Sequence, residues 1–133
     1  MEGKPITVLA TREGLEGQTT ACGWKIDDHV SFVALPSNEA LGRFVALHNP
    51  ANGKVTYAQV LDVGPWSEQD NAYVFGGSRP LAESNQRVMM GKPPEAHQTN
   101  GAGIDLGERV WRDLGMTDNA HIEWMFLPLT FSD

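Results

Sequence analysis

Arg43-Phe44-Val45-Ala46-Leu47-His48 is followed by Asn49-Pro50-Ala51-Asn52-Gly53, and then by the run Lys54–Val63. Two apolar-rich runs of strand length bracket a segment whose Asn-Gly pair accepts positive φ. This pattern predicts a β-hairpin over residues 43–63, and with it a β-dominated fold. The same grammar continues outward. Ile6–Thr11 reads as a first strand, Val30–Leu35 as a second stopped by Pro36, and His121–Leu127 as the last. One helix is predicted, because Leu106, Val110, Trp111 and Leu114 share a helical spacing and Gly115 follows as a stop. Asp105 and Glu108 have the spacing of a capping box at its start. A further helical turn is expected around Asn38–Leu41. Residues 67–103 are polar, carry Gly76-Gly77, Pro80 and Pro93-Pro94, and show no sustained period. They are expected to form a long irregular insertion, a kind of segment that is often a functional loop.

Composition narrows the function classes. The chain has 133 residues, within the usual size of one domain, and an apolar share of 41% that suits one globular core. Its net charge of −7 argues against nucleic acid as a partner, since neutralising phosphates needs a basic surface. No run approaches the roughly 20 apolar residues that span a bilayer as a helix. The lone Cys22 excludes an intrachain disulfide and a multi-cysteine zinc site. The opening Met1-Glu2-Gly3-Lys4-Pro5 lacks the apolar stretch of a signal peptide. Either the chain stays where it is made, or the segment that exported it has been removed, or something else, such as a virion, carries it to a cell wall or periplasm. No metal or cofactor is expected, because His29, His48, His97 and His121 show no ligand spacing and no nucleotide-binding or Gly-x-Ser-x-Gly pattern occurs.

Two carboxyls stand out. Asp62 sits at the predicted end of a strand, on the face shared by Ala58 and Val60, just before Gly64-Pro65. It reads either as a turn aspartate accepting backbone N–H groups or as a half-desolvated acid able to donate a proton near neutral pH. Asp105 reads first as a helix cap and second as a carboxylate facing a groove. Trp24, Trp66 and Tyr73 are candidates for stacking on sugar rings, whereas Trp111 and Trp124 are assigned to the core. A cluster of His97, Asp70 and Asp62 has no metal-binding signature of its own.

The ordered set Ala10-Thr11, Thr20-Ala21-Cys22-Gly23, Val33-Ala34-Leu35-Pro36, Leu41-Gly42, Asp62-Val63-Gly64-Pro65 and Ile104-Asp105-Leu106 resembles the rare lipoprotein A-like double-psi β-barrel family. Expansins, small endoglucanases and membrane-bound lytic transglycosylases belong to the same superfamily. The resemblance runs from about Thr7 to Phe126, and its specific part is Asp-x-Gly-Pro paired with a later Ile-Asp-Leu. It implies a mainly β fold: a closed six-stranded double-psi β-barrel with one or two short helices and a groove for polysaccharide, peptidoglycan in the nearest relatives. Asp62 matches the family's catalytic acid, Asp105 the second groove carboxylate and Thr11 the groove threonine. Gly64, Trp66, Tyr73 and His97 complete the expected substrate-binding set. Leu35 stands where lytic members often carry a histidine, and Gly107 where Ser or Thr usually opens the helix.

Two functions are therefore expected. The first is a glycan-cleaving enzyme of lytic transglycosylase type, or an inverting glycosidase, with Asp62 as general acid and base. The second is a non-catalytic polysaccharide-binding or virion-associated structural module of the same fold.

Overall fold

The computed structural model describes residues 5–13, 23, 25, 29–65, 69–87, 95–96 and 98–128. Its strands are β1 (Ile6–Arg12), β2 (Phe32–Leu35), β3 (Phe44–Asn49), β4 (Lys54–Val63), β5 (Gln86–Arg87), β6 (Glu95–Ala96), β7 (Ile104–Leu106) and β8 (Ala120–Phe126). Helix α1 spans Asn71–Val74 and helix α2 spans Glu108–Asp113, with single 3-10 turns at Asn38–Ala40 and Leu81–Ser84. Six strands close into a barrel in the order β1-β7-β2-β4-β3-β8, and β8 pairs back onto β1. The β1/β7 and β2/β4 pairs are parallel and the others antiparallel. Exchanging β1 with β4, β2 with β7 and β3 with β8 reproduces the same neighbours. The two halves therefore interlock about a pseudo-two-fold axis, which is the double-psi barrel.

Period-2 alternation fills the interior. Val8 and Ala10 of β1, Ala58 and Val60 of β4, and Ile122 and Trp124 of β8 point inward and are buried. On the other side of β4, Val55 and Tyr57 are exposed. The predicted hairpin is present, with β3 and β4 in register from Phe44↔Gln59 to Asn49↔Lys54. Gly53 takes φ +77° at its turn, and the buried Asn49 donates its side-chain N–H to the Leu114 carbonyl at 2.9 Å, tying the turn to the end of α2.

The predicted helix is shorter than the apolar spacing suggested. Leu106 belongs to β7, α2 starts after Gly107, and Asp105 is a strand residue rather than a helix cap. The stop is as expected. Gly115 adopts φ +64°, its N–H reaches the Arg112 carbonyl and the Met116 N–H reaches Trp111, closing a Schellman motif.

The 67–103 insertion is more ordered than its composition indicated. Its described part holds α1, a 3-10 turn and the antiparallel β5/β6 pair. The buried Asp70 carboxylate accepts the Leu81 N–H at 2.7 Å and joins the two helical turns. Tyr73 lies at the centre of this cap over the barrel and is only 1% exposed. Its hydroxyl accepts from Trp124 Nε1 at 2.8 Å and donates to the Gly103 carbonyl at 2.9 Å, and burial pushes the phenol pKa far up. Tyr73→Phe is expected to cost about 1–3 kcal/mol, because the buried Trp124 N–H loses its acceptor. Urea denaturation measures the loss, and a change near zero would show that the network is not stabilising.

Candidate acid cluster at the barrel mouth

Strand register brings the candidate carboxyls together. Thr11 of β1 is opposite Asp105 of β7, Asp105 is opposite Ala34 of β2, and Ala34 is opposite Asp62 of β4. The row Thr11–Asp105–Ala34–Asp62 thus crosses four adjacent strands. The backbones of Asp105 and Asp62 stand two strand spacings apart, about 10 Å. Between them Ala34 offers only a methyl group, so no large side chain separates the carboxyls. Asp62 reaches this row through a register shift. Val33 pairs with Val60 and Ala34 with Asp62, leaving Leu61 as the extra residue, packed outside the barrel on Phe32.

Each carboxyl is held locally. The Thr11 hydroxyl donates to Asp105 Oδ1, and the Val63 N–H donates to Asp62 Oδ1 at 3.0 Å. Asp62 thus accepts a turn N–H, as the first of its two sequence readings expects, and its side chain is half-buried. Gly64 takes φ +149°, and a Cβ there would sit 3.6 Å from Asp105 Oδ2. Its lack of a side chain keeps one face of Asp105 clear.

A third carboxyl joins them. Glu13 follows Thr11 by two residues, on the same side of the strand line, and its N–H donates to the Leu106 carbonyl at 2.7 Å. Its side chain hydrogen-bonds Asp62. Two carboxylates can share such a bond only if one keeps its proton. Glu13 keeps it: its pKa is pushed up to about 8, first by burial, then by the Asp105 charge and by the bond to Asp62. Asp105 is raised to about 6, chiefly by burial, against the lowering effect of the Thr11 bond. At neutral pH the cluster holds a proton that carboxyls in water would have released. The i, i+2 spacing from Thr11 was the only sequence signal for Glu13, and it was not enough to single the residue out.

These shifts fix the sign of the pH dependence of stability. Between its ordinary 4.5 and about 8, unfolding releases the Glu13 proton that the folded chain retains. Stability therefore falls as pH rises through that window. Asp105 adds the same sign between 3.8 and about 6. The melting temperature is expected to drop between about pH 5 and about pH 8, and Glu13→Gln to remove most of that drop, by roughly 3 °C or more. A pH-independent difference between the two proteins in thermal melts would contradict the shift.

The other candidates part company. Tyr73 does not belong to a sugar-stacking surface, since it is buried in the cap and both partners of its hydroxyl are internal. Trp111 and Trp124 are core residues, as expected. Trp24, Trp66 and His97 lie outside the described residues. Asp70 is committed to Leu81, away from Asp62. Leu35 is fully buried and adds no polar group to the row. Among the described residues, no group of three or more His, Cys, Asp or Glu is arranged to hold a metal ion, and no helix is long and apolar enough to cross a membrane.

Two hollows lie away from the acid row. One, of about 320 Å³, is on the outer face of β3 and β4, where Phe44 (43% exposed) and Tyr57 (59%) flank Gln59 and the hollow ends at Leu61, next to Asp62. The other, of about 490 Å³, is at the opposite end of the barrel.

A family model described as "Domain of unknown function (DUF8814)" matches residues 4–125. No curated protein matches the chain. Among solved structures, the Streptomyces papain inhibitor (SPI) superposes with a TM-score of 0.56 over 96% of this chain and 97% of that one, at 18% identity. At that identity the likeness is one of fold.

Proposed function

We propose, for a chain that belongs to the family described as Domain of unknown function (DUF8814), that it cleaves β-1,4-linked glycan by carboxyl acid–base chemistry, with peptidoglycan as the substrate class. The observation that carries the reading is the row that strand register builds from Thr11, Asp105 and Asp62 across adjacent strands, with Glu13 beside it and its carboxyl pKa raised by burial and by those neighbours. General acid catalysis at neutral pH needs a carboxyl that is still protonated there. The Glu13–Asp62 dyad supplies one, and the motif resemblance assigns the donor role to Asp62.

In this scheme Asp62 delivers the dyad proton to the glycosidic oxygen as the C1–O bond breaks. The sugar's own 6-hydroxyl then closes on C1, its proton returns to Asp62, and an anhydro ring forms without water. Asp105, ionised at neutral pH, faces the positive charge that develops at C1. Tyr57, exposed on the strand that carries Asp62, and Phe44, exposed on the neighbouring strand β3, suit contact with pyranose faces.

Purified protein incubated with peptidoglycan sacculi, followed by mass spectrometry of the soluble fraction, tests the proposal. Anhydro-sugar ends support it. Reducing ends instead would indicate an inverting hydrolase using Asp105 as base. Retention on sacculi without any product would assign the surface to a non-catalytic polysaccharide-binding or virion-borne module. Papain inhibition, the property in the structural neighbour's name, is the natural control assay.

A further inference from the structure

We propose that the barrel end opposite the acid cluster is a binding site for a planar aromatic carboxylate, independent of the glycan reading. On β1 the two ends are about 17 Å apart, since Ile6 borders this cavity and Thr11 belongs to the acid row. The cavity volume of about 490 Å³ is within the range that encloses small organic ligands.

Its lining combines rings with one cation. Phe75 and Phe126 stack with centroids 5.3 Å apart and planes within 12° of parallel. The Arg43 guanidinium lies 4.3 Å from the Phe126 centroid and 5.9 Å from that of Phe75. Phe75 is 39% exposed, so an aromatic surface remains open to a ligand. Arg43 makes no ion pair with any carboxylate among the described residues. In a chain of net charge −7, a guanidinium held on aromatic faces with no anion beside it among the described residues is a point of charge complementarity for a carboxylate, which it can bind bidentately. The cavity floor does not compete, because the Trp124 N–H and the Tyr73 O–H are already bonded to internal acceptors. Gly76 and Gly77 complete the rim with bare backbone, and neither N–H donates to a backbone acceptor among the described residues. Apolar rings below and a cation at the side select a flat body carrying one negative group.

Isothermal titration of the full chain with 2-naphthoate, and separately with the isosteric neutral 2-naphthamide, tests this. Saturable one-to-one binding of naphthoate is expected, with naphthamide weaker by at least about 10-fold. Arg43→Gln should bring naphthoate down to the naphthamide level. Equal affinities for the two probes on the unmodified protein, no saturable naphthoate binding up to about 1 mM, or unchanged naphthoate affinity in Arg43→Gln would each overturn the proposal. The probe comparison needs no variant, so it decides the matter even if Arg43→Gln folds poorly. Loss of sacculus cleavage without loss of naphthoate binding would strike only the glycan reading.

Discussion

Asp62→Asn is expected to cut the release of anhydro-sugar products from peptidoglycan by at least about 100-fold. The substitution keeps the shape and the acceptor oxygen that receives the Val63 N–H, so the strand end should hold its geometry. It removes the only atom in the row that the motif resemblance assigns to proton delivery, since an amide cannot pass the Glu13 proton on to a leaving oxygen. Folding is checked by a melting temperature close to that of the unsubstituted protein. Products released at an unchanged rate would remove Asp62 from the chemistry and leave the row as a structural acid pair. Glu13→Gln differs in kind, because the amide still donates to Asp62 but supplies no exchangeable acid proton. Its cleavage activity should fall and should lose the decline towards alkaline pH that the raised Glu13 pKa imposes.

Gly107→Ala is expected to destabilise the barrel by about 3 kcal/mol, roughly 10 °C in melting temperature. A Cβ at position 107 would lie 2.5 Å and 2.6 Å from ring carbons of Phe32, and 3.0 Å from the Phe32 carbonyl oxygen. Phe32 is fully buried between Leu61 and Val30, so the ring cannot swing aside. The Gly107 N–H also bonds that carbonyl at 3.0 Å, which fixes the backbone approach. Gly107→Ser makes the point more sharply. Serine at the helix start should add only a few tenths of a kcal/mol over glycine as a cap, and the same clash should leave this variant less stable than the original. Urea denaturation of both variants checks the prediction. A stabilised Gly107→Ser would show that β2 and β7 are packed more loosely than the barrel requires.

The hairpin and the first and last strands were legible because their signals are local: alternation over six to ten residues and an Asn-Gly turn. Strand β7 was not. Its three residues are too few to alternate, both flanking apolar side chains are buried, and Leu106 happens to fall in phase with Val110 and Leu114. Asp105 then looked like a cap, when its side chain is spent on Thr11, 94 positions away. The motif resemblance placed Asp62, Asp105 and Thr11 in one expected groove, and the strand register brings those three into one row. Nothing in the sequence neighbours of Glu13 marks it as a member of an acid cluster. Its proton affinity comes from burial and from two carboxyls distant in sequence. Tyr73 misled for the opposite reason: a tyrosine in a Gly- and Pro-rich stretch reads as exposed, but one turn of helix folds it under the cap.

Acid–base chemistry at the barrel mouth depends on a carboxyl that keeps its proton at neutral pH. Carbon-13 NMR of the side-chain carboxyls, followed from about pH 3 to about pH 10, measures it directly. One glutamate resonance, lost in Glu13→Gln, is expected to titrate near 8, and an aspartate resonance, that of Asp105, near 6. Titration of every carboxyl between about 3 and 5, the ordinary solvent-exposed range, would contradict it.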